Sequence, residues 1–310
     1  VELGRDLGLD VSWARIPKSI FERLFLFCRI KTSDVIVIQQ KLLSSFELSI
    51  LKNRCGKLVY DFDDAMWTLP TKDLVSGKKR RKAARASRRF GVQCAVSDLC
   101  IAGNTYLARK ASEYQQHIRI IPTGLDTDKY VPRRDAEEDG PVRVGWMGTS
   151  GNLAYVQEPL RHLEGCDGRV RFSVVSDAPY RGPGEGSVEW AAWSDAEEVA
   201  QLQAMDIGLM PLADDEYTRG KCGFKILQYM ACGAVPVASA VGVNSEIIDH
   251  GVDGFLVKGP EDWREHVLNL AEHGELRRRM REAARRKVVA RYDLRRVARL
   301  VWSALDVEEA

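Results

Sequence analysis

Short β-rich runs alternate with longer helical patterns along nearly the whole chain, and this alternation constrains the fold more than any other feature. The candidate strands Val35–Ile38, Leu58–Tyr60, Gln93–Val96, Cys100–Ala102 and Ile118–Ile121 form a first series. A second series follows at Val142–Trp146, Arg171–Val175, Ser187–Trp190, Ile207–Leu209, Val235–Ala238 and Phe255–Val257. Helical patterns lie between them at Ser44–Cys55, Thr105–Glu113, Ala196–Ala204, Lys225–Cys232, Ser245–His250, Glu261–Glu272 and Glu275–Arg291. Strands that alternate with helices build parallel sheets covered on both faces. The two series are parted by the polar stretch Pro132–Pro141, which holds little to bury and reads as a linker. The expected organisation is a first α/β domain over residues 1–131, a linker over 132–141 and a second domain over 142–290. A helix over 291–310 is expected to cross back to the first domain. A chain of 310 residues suits two such domains. Two domains on one linker imply a cleft, with ligands outside the carboxyl ends of the strands.

Composition excludes several classes. Hydrophobic residues make up 45% and charged residues 29%, the balance of a globular chain. The net charge of +2 argues against a nucleic-acid binder held by bulk charge. No apolar run approaches the ~20 residues of a membrane span. The seven cysteines are dispersed without a CxxC pair, as free thiols in a reducing compartment are. His117, His162, His250, His266 and His273 make no HxH or HExxH pattern, and no metal site is expected. Nothing at the N-terminus reads as a signal peptide. Leu3, Leu7 and Leu9 run straight into Asp10–Trp13, so an opening strand and its loop are expected to be missing ahead of Val1.

Three loops carry candidate chemistry. The first is Gly220-Lys221-Cys222-Gly223-Phe224-Lys225, a glycine-containing loop running into an apolar-faced helix. Amide groups at a helix start and the helix dipole favour an anion there. With Lys221 and Lys225 the loop reads as a diphosphate cradle, the plain alternative being a loop with solvated lysines. The second is Gly148-Thr149-Ser150-Gly151, a glycine-rich turn with two hydroxyls after a strand. The third is Asp61-Phe62-Asp63-Asp64, where a strand delivers three carboxylates into one loop. Crowding should raise the pKa of at least one of them. Asp63 or Asp64 is expected at the reacting centre, and helix capping is the ordinary alternative. Glu246 either caps its own helix or faces the cleft.

The stretch Gly220 to Val257 resembles the C-terminal domain of retaining glycosyltransferases of family 4, which have the GT-B fold. The likeness rests on GKCGFKILQYMACG at 220–233, on Ala234-Val235-Pro236-Val237-Ala238-Ser239 and on Gly242-Val243-Asn244-Ser245-Glu246. Gly103-Asn104, Ile121-Pro122-Thr123-Gly124-Leu125-Asp126 and Gly251–Val257 agree in order and spacing. The resemblance implies two doubly wound, Rossmann-like domains and transfer of a sugar from a nucleotide-diphosphate sugar to an acceptor hydroxyl. Retention of configuration, no metal and no cofactor beyond the donor substrate come with it. It places the donor diphosphate on Gly223, Phe224 and Lys225, with Gly148, Thr149, Ser150, Lys221 and Glu246 around the donor. The family carries two glutamates eight residues apart. In that frame they fall on Gly220 and Gln228. Gln228 can still hydrogen-bond a ribose hydroxyl, whereas Gly220 cannot hold a sugar. Asp214, Asp215 and Glu216 are candidates to replace it.

The resemblance leaves the expected acceptor open between a glycan, a lipid-linked sugar and a small molecule. Other readings are a nucleotide-sugar epimerase of the same fold and a non-catalytic sugar-nucleotide-binding protein. The basic run Lys78-Lys79-Arg80-Arg81-Lys82, with Arg85, Arg88 and Arg89, lacks the aromatic residues that stack nucleic-acid bases. It reads either as a solvated helix or as a contact with anionic lipid or a phosphorylated acceptor. A cytoplasmic location, at the inner face of the membrane in the second case, follows from that reading.

Overall fold

A computed structural model describes residues 10–133, 140–166 and 168–305. Leu3, Leu7 and Leu9, and linker residues 134–139, lie outside the described residues. The chain divides into two compact units, neither continuous in sequence. The first holds residues 1–123, 215–222 and 295–310, and the second residues 124–214 and 223–294. Residues 215–222, which lead into the glycine-containing block, therefore pack with the N-terminal residues.

In the first unit the elements are α1 (Ile20–Arg29), β1 (Ser33–Gln39), α2 (Ser45–Lys52), β2 (Cys55–Phe62), α3 (Gly77–Val96), β3 (Leu99–Ala102), α4 (Thr105–Ser112) and β4 (Ile118–Ile120). The four strands pair in parallel in the order β1-β2-β3-β4. Right-handed crossovers that always step the same way put α2, α3 and α4 on one face. Side-chain alternation agrees. Leu58, Tyr60 and Phe62 of β2 pack with Phe27, Leu48, Leu51, Phe90 and Leu107 of the helices. Val59, Leu99 and Ile101 point the other way, onto Val297 and Leu305. Those two belong to the helix at Leu294–Leu305, which covers the opposite face. The expected strand Gln93–Val96 is instead the last turn of α3. Val96 and the preceding Val92 are β-branched and suit a strand, but Phe90, Gln93 and Cys94 recur at helical spacing and are buried together.

In the second unit the elements are β5 (Val142–Met147), α5 (Leu153–His162), β6 (Val170–Ser176), β7 (Val188–Ala192), α6 (Glu198–Gln203) and β8 (Ile207–Met210). The helix α7 (Glu216–Arg219) belongs to the first unit. There follow α8 (Phe224–Cys232), β9 (Val235–Ser239), α9 (Asn244–Ile247), β10 (Phe255–Val257), α10 (Asp262–Glu272) and α11 (Gly274–Tyr292). The helix at Leu294–Leu305, described above, is α12. All strands are parallel, in the order β10-β9-β8-β5-β6-β7. The order reverses between β5 and β8, the switch point of a doubly wound sheet. One face packs on α5 and α10 through Trp146, Val156, Trp263 and Val267. The other packs on α6, α8 and α11 through Leu202, Ile226, Tyr229 and Ala284. Burial on both faces explains why β8 and β9 read as unbroken apolar runs.

Candidate functional site

The second unit opens a crevice at its switch point. β5 and β8 pair only at Val144–Ile207 and Gly145–Gly208 and then diverge. Divergence strands backbone groups that a ladder would satisfy. Tyr229, buried on α8, supplies both partners: its hydroxyl accepts from Met147 N–H at 3.0 Å and donates to Leu209 C=O at 3.2 Å. Gly148 follows at the mouth. A Cβ there would stand 2.6 Å from the Trp146 ring and 2.7 Å from Lys225 Nζ, so only glycine leaves room. The Lys225 ammonium, four residues before Tyr229 on the same helix face, lies 5.0 Å from the Trp146 ring centroid. A cation is thus held beside the carboxyl end of β5, where ligands of open α/β sheets sit.

The start of α8 adds backbone donors. Gly223 is its N-cap, left-handed at φ 69°, and an added Cβ would strike Ile247. Only glycine adopts this turn without strain. First-turn amides have no partner inside a helix and carry the positive end of its dipole. Phe224 is half exposed at this start. Ser150 is more committed than its sequence implies. Its amide and hydroxyl donate to the Asp177 carboxylate at 2.5 and 3.1 Å, and the backbone bond holds Asp177 below the usual carboxylate range. The Thr149 hydroxyl accepts from Asn152.

Gln228 does not lie open to a ligand in this structure. It is buried, and its amide nitrogen donates to Glu198 at 3.1 Å and to Tyr130 Oη at 3.3 Å. Glu246 is exposed on α9, three residues after the N-cap Val243.

In the first unit the carboxyl ends of β1 and β2 gather the acidic loop. Gln39 is in register with Asp61 and its amide donates to that carboxylate at 3.2 Å. Gln40 has φ 56°, the single positive-φ non-glycine residue among the described residues. Its backbone N–H donates to Asp61 C=O at 2.8 Å and its side chain donates to Asp63. Gln93 on α3 fixes this turn, accepting from Leu43 N–H and donating to Lys41 C=O. A strained backbone held by so many bonds is characteristic of functional loops. Burial, and then the Asp63 charge, push the Asp61 carboxyl up to about 6. Burial also raises Asp64, against the pull of the Lys221 charge. The expected carboxylate with a raised pKa is therefore clearest at Asp61.

Residues 215–222 are seated on this same unit. Asn104, the N-cap of α4, donates to the carbonyls of Gly220 and Lys221 at 3.3 and 2.9 Å. Asp215 caps α7 and accepts from Thr71 N–H at 2.9 Å, while Glu216 accepts from Trp67 Nε1 at 2.6 Å. Lys221 Nζ lies 4.8 Å over the Tyr217 ring. A Cβ on Gly220 would stand 2.6 Å from Ala65 Cβ, which explains why no side chain occupies this position. Among the described residues no group of three or more His, Cys, Asp or Glu side chains converges as a metal centre.

Sequence reasoning missed Tyr229, Asp177 and Gln40. Only the Lys225–Tyr229 spacing was available as a signal for the first.

Residues 144–273 match the family model of the glycosyl transferases group 1. That span holds Gly148, Thr149, Ser150, Lys221, Gly223, Phe224, Lys225, Gln228 and Glu246, whereas Asp63 and Asp64 lie outside it. A curated relative, the D-inositol 3-phosphate glycosyltransferase of Corynebacterium jeikeium (strain K411), is 26% identical over 199 residues. The match covers 54% of this chain and 46% of the relative, so the chain spans about half of that protein's length. Among solved structures, sucrose-phosphate synthase from Thermosynechococcus elongatus superimposes with a TM-score of 0.69 at 16% identity, over 87% of this chain and 72% of that one. Anabaena Alr3699/HepE, crystallised in complex with UDP, gives 0.65 at 17%, over 88% and 78%. At these identities the likeness establishes the fold: two Rossmann-like α/β units of the GT-B kind.

Proposed function

We propose that the chain transfers a glycosyl group from a nucleotide-diphosphate sugar to an acceptor hydroxyl. The observation that carries this reading is the cation of Lys225 at the β5/β8 switch point, beside Gly148 and on the helix opened by left-handed Gly223. The glycosyltransferase family match covers these residues, and the curated relative named above carries that activity in its name. The departing group in such a transfer is a pyrophosphate. The bond from the anomeric carbon to the β-phosphate oxygen breaks, and its electron pair stays on that oxygen. Lys225 and the amides of Gly223 and Phe224 would take up the added charge. The acceptor oxygen forms the new bond. In the retaining course that the family 4 resemblance implies, its proton passes to the departing phosphate on the same face. Asp63, held by Gln40, is assigned to the acceptor side.

The test is turnover of a panel of nucleotide sugars, with the anomeric configuration of the product read by NMR. Lys225→Ala should weaken nucleotide-diphosphate binding in calorimetry by about 10-fold or more, the loss of a charge-assisted contact. Unchanged affinity removes the cradle. Asp63→Asn should lower turnover while leaving donor affinity in place. Hydrolysis-free binding with no transfer to any acceptor would favour the non-catalytic reading instead.

A further inference from the structure

The helical layer of the first unit carries a surface outside the candidate site described above. α1, α2 and α3 each reach the following strand after at most three residues. Each is therefore antiparallel to its strand, and all three N-termini lie at the carboxyl edge of the sheet. α2 packs against both α1 and α3, so the three stand in a row.

Aromatic and basic groups collect along this row. Phe21 and Phe25 on α1 are 80% and 60% exposed, and Phe46 on α2 is 66% exposed. Trp13, in the segment that enters α1, is 76% exposed. α3 opens with Lys78, Lys79, Arg80, Arg81 and Lys82, all exposed, and has no acid in its length. Helix starts favour acids, because the dipole is positive there. This one sets five cations against its own dipole. Among the described residues, Lys79 alone of the five is paired with a carboxylate, that of Asp73, which precedes the helix. Exposed aromatic rings next to uncompensated cations form the pattern that interfacial helices present to anionic bilayers. An isologous pairing of two copies over this row would bring like-charged α3 helices together.

We propose that this edge seats the protein on an anionic lipid bilayer. The aromatic rings of α1 and α2 enter the interface and the first turns of α3 meet the headgroups. The same edge of the sheet carries Asp63, so the seat would present that loop to a lipid-borne acceptor. This consequence rests on the glycosyl-transfer reading. The seat itself is measured without any donor, so the two ideas fail separately.

The experiment is co-sedimentation of the full chain with vesicles of phosphatidylcholine, with and without phosphatidylglycerol, at rising salt. Binding is expected only with phosphatidylglycerol, and salt should weaken it. The triple change Lys78→Gln, Lys79→Gln and Arg81→Gln should lower partitioning by about 100-fold. The double change Phe21→Ser and Phe25→Ser should lower it by about 10-fold or more. These side chains are exposed, so melting should not move. If either variant melts early, Phe46→Ser read against the same vesicles replaces it. No binding to phosphatidylglycerol vesicles overturns the proposal. So does binding that survives loss of the aromatic rings, capture of nucleic acid in place of vesicles, or a dimer that the Phe21→Ser and Phe25→Ser change dissolves without any lipid binding.

Discussion

Replacing Tyr229 by phenylalanine removes one oxygen atom and should have a large effect. That hydroxyl is the shared partner of Met147 N–H and Leu209 C=O, where β5 and β8 part. Met147 and Leu209 are 4% and 1% exposed, so bulk water is not at hand to replace it. Each backbone group left buried and unpaired costs about 1–3 kcal/mol, so the pair should cost about 2–6 kcal/mol. For a unit of this size the melting temperature should fall by roughly 5–15 °C. Differential scanning calorimetry resolves the two units if they melt separately, which a single-transition fit would hide. Hydrogen exchange gives a local readout: the Met147 amide should lose protection while the Val174 amide in β6 keeps it. A Tyr229→Phe protein that melts within about 2 °C of the parent, with Met147 still protected, would show that the hydroxyl does not hold the switch point open.

Other outcomes follow from the same geometry. Gly223→Ala forces a side chain into a left-handed turn and onto Ile247; it should cost at least about 1–2 kcal/mol in thermal melts and abolish nucleotide-diphosphate binding in calorimetry. Gly220→Glu restores the acid that the resembling family carries there, yet its Cβ would press on Ala65, so a melt should show about 1–3 kcal/mol of destabilisation and no gain in turnover. Asp61 provides a pH test. Its folded pKa of about 6 exceeds that of the unfolded chain, so the folded state binds more protons between about pH 4 and 6 and stability falls as pH rises through that window. Asp61→Asn should therefore stabilise the protein at pH 7.5, on the order of 2–3 kcal/mol, with the advantage shrinking toward pH 4. A constant advantage at all pH values would place the cause outside this carboxyl.

Much of the architecture could be read from the chain because burial leaves a periodic trace. β8, β9 and most of the helix at Lys225–Cys232 are buried, and their limits were close to those observed. The end of α3 was misread because Val92 and Val96 suit a strand, whereas the burial of Phe90 and Cys94 is decided by residues far along the chain. The glycine positions of the site were legible, since Gly148 and Gly223 are required locally. Their partners were not. Tyr229 meets Leu209 across 20 residues and Asn104 meets Lys221 across 117, distances over which sequence alone carries no register. Gln228, which the family frame sets at a donor ribose, has its amide nitrogen on Tyr130 and Glu198, contacts that lie 98 and 30 residues away and leave no local trace.

The helix α12 has a consequence for how the protein is made. Val59, Leu99, Ile101 and Ile121 are shielded on their side of the sheet by Val297 and Leu305, which leave the ribosome only after the whole of the second unit. Until then the nascent first unit presents a bare aliphatic patch. A chaperone that holds emerging chains would find its foothold there, and a messenger truncated before the codon for Arg295 would yield a product prone to clump despite an intact set of β-strands.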